Sequence, residues 1–110
     1  MAIKYKNAKA VVTGTSTAQT ILTPANATTA VIKSIIACEQ SNNADTIALT
    51  ITDTADTPVT FSLYKDKAIS SEATAELLTA PLVLAESEIL KAAATTASRI
   101  HLVVSYMEIS

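Results

Sequence analysis

The stretch 28–54 constrains the fold more than any other part of the chain. Its second half, Ala44-Asp45-Thr46-Ile47-Ala48-Leu49-Thr50-Ile51-Thr52, alternates almost without a break. Successive side chains on a strand face opposite sides, so Ile47, Leu49 and Ile51 share one face and Thr46, Ala48, Thr50 and Thr52 the other. That period marks a half-buried strand. The first half, 28–39, is rich in β-branched and small apolar residues and reads as a second strand. Between them lies Gln40-Ser41-Asn42-Asn43. Asparagine tolerates left-handed backbone angles and suits a tight turn. The sequence therefore predicts a hairpin, with 28–39 paired to 44–52.

The rest of the chain adds short strands between turn signals. An arm of polar character over 1–7 precedes a strand at 8–13, which Gly14 ends. Gln19–Leu22 is another strand, and Pro24 sets the corner of the turn 23–26. After a loop at 53–58, the segment 59–64 alternates again, with Val59, Phe61 and Leu63 expected inward. Lys65-Asp66-Lys67 reads as a solvated turn. The segment 68–78 mixes helix formers with strand-like alternation. The run 85–94 favours helix by propensity alone, but a short strand at 88–92 fits the surrounding pattern. Residues 99–109 form a long final strand. About eight strands at this spacing point to an all-β fold: an antiparallel β-sandwich or jelly roll in a single domain, 8–110, behind the arm.

Composition excludes several kinds of function. Charged residues make up 16% of the chain and the formal net charge is −2. No two Lys or Arg are adjacent, so no basic patch for nucleic acid is expected. The single glycine rules out phosphate-cradling and dinucleotide-binding glycine loops. With one cysteine no disulfide can form within the chain. The opening MAIKYKNAKAVV lacks the apolar core of a secretory signal, and no apolar run approaches the roughly 20 residues of a membrane-spanning helix. The expectation is a protein made in a cytoplasm, with no membrane or nucleic-acid partner. Its polar surface must be built largely from Thr and Ser.

Candidate chemistry is sparse. His101 is the sole histidine, and no spacing sets it beside a nucleophile and an orienting carboxylate. It reads as a surface or interface residue. Cys38, placed by alternation with Ile32 and Ile36, reads as a small buried hydrophobe. Asp53 and Asp56 lack the glycine and following glutamate of a calcium loop. Glu86 and Glu88 lack an aromatic platform that would suit glycoside chemistry, the chain having no Trp. The expectation is therefore no enzyme, no metal and no cofactor.

Apolar residues on both faces of two strands are the distinctive feature. On 99–109, Ile100, Leu102, Val104 and Tyr106 share one face, and Val103, Met107 and Ile109 the other. On 28–39, Val31, Ile35 and Ala37 form a second apolar row. In a two-layer sandwich each sheet has one inner and one wet face. The second rows therefore need an outside cover, and a subunit interface supplies one. Val31, Ile35, Val103, Met107 and Ile109 are the expected interface residues, with the segment 66–98 folded over that face as the competing cover.

The run 29–39, the segment 42–52, Ala80-Pro81-Leu82-Val83-Leu84 and the ending 100–110 together resemble small β-sandwich structural proteins of tailed-phage virions. These modules decorate capsids or build neck and tail parts. The resemblance covers about 28–110, and Cys38 and the scarcity of glycine depart from it. It implies a structural subunit of the virion, assembled in the host cytoplasm. Such a subunit is a homo-oligomer that also contacts other virion proteins such as the major capsid protein. Capsid decoration is the first expectation. A neck or tail collar part, a fibre-associated protein, and a receptor- or sugar-binding module are the alternatives.

Overall fold

The structure is a computed structural model and describes residues 2–110. Among them are nine strands and no helix: β1 (Ile3–Val11), β2 (Gln19–Leu22), β3 (Thr29–Glu39), β4 (Asp45–Asp53), β5 (Val59–Ile69), β6 (Thr74–Glu76), β7 (Leu82–Leu84), β8 (Glu88–Ala94) and β9 (Ile100–Ile109). The first sheet runs β1-β9-β3-β6, with β7 also on β3, and the second runs β2-β8-β4-β5. Every pairing is antiparallel. The expected all-β sandwich is the fold.

The central hairpin is not formed. Both of its strands exist, but β3 pairs with β9 while β4 pairs with β5 and β8, in the opposite sheet. The segment 40–44 is thus an arch that crosses the core. Asn42 does take the left-handed conformation, at φ 66°. The reason lies in burial. Strands joined across the core bury their apolar rows against each other, whereas hairpin partners lie side by side in one layer.

In the core, Ile47 and Leu49 are fully buried. They pair with Ala94 and Ala92 of β8, so large side chains alternate with small ones. This tertiary demand explains why 88–94 of the helix-favouring segment 85–94 is strand, two residues longer than the expected 88–92. Burying a Leu or Ile side chain contributes about 1.5–3 kcal/mol; a propensity difference is a few tenths per residue.

Two further expectations are corrected. Residues 3–7 are no arm: they are the first half of β1, and Ile3 pairs with Ile109. Met1, the remainder of that expected arm, lies outside the described residues. Lys65-Asp66-Lys67 is not a turn either. It lies within β5 as a bulge against β4, with Asp66 at φ 56°.

The chain's glycine is used for close approach. A Cβ on Gly14 would lie 2.4 Å from the Thr17 carbonyl oxygen. The Gln19 side chain closes this loop by accepting from the Thr13 amide at 2.8 Å. Gly14→Ala is expected to lower stability by about 1–3 kcal/mol, seen as a lower melting temperature with the same far-UV circular dichroism.

Candidate functional site

The register of β1, β9, β3 and β7 maps the outer face of the first sheet row by row. Ala8 and Ala10 pair with the buried Val104 and Leu102, so Ile3, Tyr5, Asn7, Lys9 and Val11 face outward. The rows are Ile3–Ile109–Thr29, then Tyr5–Met107–Val31–Val83, then Asn7–Ser105–Ser34, then Lys9–Val103–Ile36, and finally Val11–His101–Cys38. Two apolar rows therefore lie at one end. A polar belt crosses the middle, and a mixed end carries Val103 and His101.

Exposure marks the same surface. Among the described residues, the large exposed hydrophobics are Ile3, Tyr5, Val11, Ile36, Val83 and Val103 on this face, and Val59, Phe61 and Leu63 on β5. Tyr5 is 82% and Val83 57% exposed. The segment 66–98 does not cover the face. It completes β5 and supplies β6, β7 and β8, which extend the two sheets instead.

A bulge decides which interface candidates reach this surface. Ile32 pairs with Tyr106 and Ser34 with Ser105, leaving Lys33 as an extra residue in β3. A bulge of one residue shifts the alternation beyond it. Val31 stays outside, but Ile35 turns into the core and is fully buried, as is Ala37. Ile35 is thus removed from the expected interface. The same shift takes Cys38 and Ile36 away from Ile32. Cys38 is half-buried on the outer face opposite His101, not a core residue. Met107, Val31 and Ile109 cluster in the apolar rows, and Val103 lies beyond the polar belt.

Sequence reasoning misses Tyr5 and Ile3, which fall in the expected arm, and it misses Val83. It also expects Val59, Phe61 and Leu63 inward; Leu63 is the extra residue of a bulge in β5, so only Val59 and Phe61 keep the expected register. They do lie on the inner side, since they pair with Asp53 and Ile51. They are only partly covered there, at 50% and 57% exposed. The opposing sheet ends in β6 and β7, three residues each, against eleven in β5.

Six carboxylates, those of Glu39, Asp45, Asp53, Glu76, Glu86 and Glu88, accept from backbone amides. Glu39 is fully buried and accepts from the Ser41 hydroxyl at 2.5 Å and from the amides of Ser41, Asn43 and Glu72 at 3.1, 3.3 and 3.2 Å. Burial alone pushes its carboxyl up. The Ser41 hydroxyl and the Glu72, Ser41 and Asn43 amides outweigh burial and hold it below the usual carboxylate range. Glu76 is also lowered: partial desolvation opposes the shift, and the Ser34 hydroxyl and the Ile35 and Leu78 amides favour the charged form. Asp45 accepts from the Thr96 amide, Asp53 from Ala55, Glu86 from Ala27 and Glu88 from Ala85. Of the acids weighed for calcium and glycoside chemistry, Asp53, Glu86 and Glu88 are thus loop staples. Among the described residues, no three His, Cys, Asp or Glu are placed to hold a metal ion, and no helix is long and apolar enough to cross a membrane. Tyr5 and Phe61 lie on different sheets and form no shared aromatic platform. What the arrangement offers chemically is apolar contact area. In the comparisons with known proteins, no family model, curated protein or solved structure matches the chain.

Proposed function

We propose that this chain is a structural subunit of a tailed-phage virion, holding the particle together as a capsid decoration protein. The observation that carries an assembly role is the outer face of the first sheet, where six exposed large hydrophobics, Ile3, Tyr5, Val11, Ile36, Val83 and Val103, lie on one surface. The phage assignment rests on the resemblance of residues 28–110 to virion modules. The mechanism is mechanical. Apolar area removed from water at roughly 25 cal/mol per Å² fastens the subunit to the shell. A sparsely charged, Thr-rich skin suits a surface packed against other protein.

Densitometry of purified particles against the major capsid protein tests this reading. The expected ratio is one copy per capsid subunit, or one per few. A ratio of a few per hundred moves the protein to a neck or tail ring, where closed symmetry limits copies to about 3–12. Absence from purified particles overturns the structural role.

A further inference from the structure

The three large exposed hydrophobics outside the first sheet, Val59, Phe61 and Leu63, lie together on β5. β5 is an edge strand of the second sheet. An edge presents unpaired N–H and C=O groups, and proteins protect it with charge, shortness or bulges. The other edges carry such protection, β6 and β7 by being three residues long. β1 has Lys4, Lys6 and Lys9. β2 is four residues long and followed by Pro24. The segment 59–64 of β5 has no charged residue.

We infer that the chain forms a two-fold dimer by antiparallel pairing of its β5 edge with the same edge of a second copy, centred on Phe61. The partner follows from self-complementarity. A two-fold contact must match a surface to itself. With Phe61 at the axis, Phe61 meets Phe61, Val59 meets Leu63, and Thr60 meets Ser62. All the exposed apolar side chains thus pair with apolar ones, and hydroxyl pairs with hydroxyl. Cross-strand pairs of these kinds stabilise antiparallel ladders. The contact is confined to 59–63 because Pro58 offers no N–H at one end. At the other end the register of β5 is broken by bulges from Leu63 onward. The pairing joins two four-stranded sheets into one continuous sheet and covers the uncharged part of the β5 edge. It leaves the outer face of the first sheet free, and it does not rest on the virion reading.

Sedimentation equilibrium on the full chain tests the pairing. The wild type is expected to be a dimer at micromolar concentration. Phe61→Asp, on a side chain already 57% exposed, is expected to keep the circular dichroism spectrum and raise the dimer dissociation constant about 30-fold or more. Hydrogen exchange on the wild type supplies a second readout: the amides of 59–63 become slower as concentration rises through the dimer range. If Phe61→Asp fails to fold, exchange alone decides. A wild type that is monomeric or trimeric overturns the inference, as do a Phe61→Asp dimer of unchanged affinity and amides at 59–63 whose exchange ignores concentration. A dimer dissociated by Met107→Asp and untouched by Phe61→Asp also overturns it, and assigns self-association to the other sheet.

Discussion

Glu39→Ala is expected to lower the melting temperature by on the order of 10 °C, more than any single substitution of an exposed residue. The carboxylate is fully buried and collects donors from two loops, the arch at Ser41 and Asn43 and the turn at Glu72. Both loops contain strained backbone, with Asn42 at φ 66° and Glu72 at φ 55°. Removing the acceptor leaves the partly buried amides of Ser41, Asn43 and Glu72 without this partner, which costs more than the hydrogen bonds themselves contribute. The same group makes stability depend on pH. Its carboxyl lies below its ordinary 4.5 in the folded chain. A depressed folded value means that the contribution is complete above the unfolded value and is lost as pH falls through the folded one. Thermal melts from neutral pH down are therefore expected to be flat until about pH 4.5 and to decline steeply below it. Glu39→Gln should start lower at neutral pH and decline less steeply. Glu76→Gln should do the same with smaller amplitude, because Glu76 is exposed. Parallel declines in wild type and Glu39→Gln would show that another group controls acid unfolding.

Glu39 also shows where sequence reading stops. The existence of the strands was legible because period-2 alternation is local, and the alternating run 44–52 corresponds closely to β4. What lies across from a strand is not local. Alternation announces two faces without naming the partner, so 28–39 and 44–52 read as a hairpin when they belong to different sheets. Nor does alternation reveal an extra residue. Lys33 looks like any polar member of its strand, yet as a bulge it sends Ile35 inward and Cys38 outward. Of the candidate surface, Val103, Met107 and Ile109 were legible because β9 pairs with β1 without interruption from His101 to Ile109, and Val31 because it precedes the bulge at Lys33. Glu39 was readable in principle: a glutamate directly before Gln-Ser-Asn-Asn is an acceptor beside a row of donors. In a chain with one glycine, loops that cannot relax through glycine are held instead by carboxylates.

On the proposed virion role, Met107→Asp is expected to give a folded protein that no longer docks on the particle. Met107 sits in the row Tyr5–Met107–Val31–Val83, the apolar row that crosses four strands, β1, β9, β3 and β7. It is half-buried among these neighbours and faces away from the core, so a carboxylate there stays hydrated in the free subunit. In a docked subunit the same charge would be stripped of water without a partner, which is strongly unfavourable. Particles lacking this protein, incubated with purified variants and separated by sedimentation, measure the effect. Binding of Met107→Asp should fall about 30-fold or more, with its melting temperature within a few degrees of wild type. Val104→Asp, one strand position from the outward row and fully buried, serves as the contrast and should not fold. Val103→Asp reports on the far side of the polar belt formed by Asn7, Ser105 and Ser34. A smaller loss there than at Met107 confines the docking surface to the apolar end, and an equal loss extends it over the whole face. Re-binding of Met107→Asp at the wild-type level would remove this face from the docking role, whatever the outcome at Phe61, because the two residues lie on different sheets.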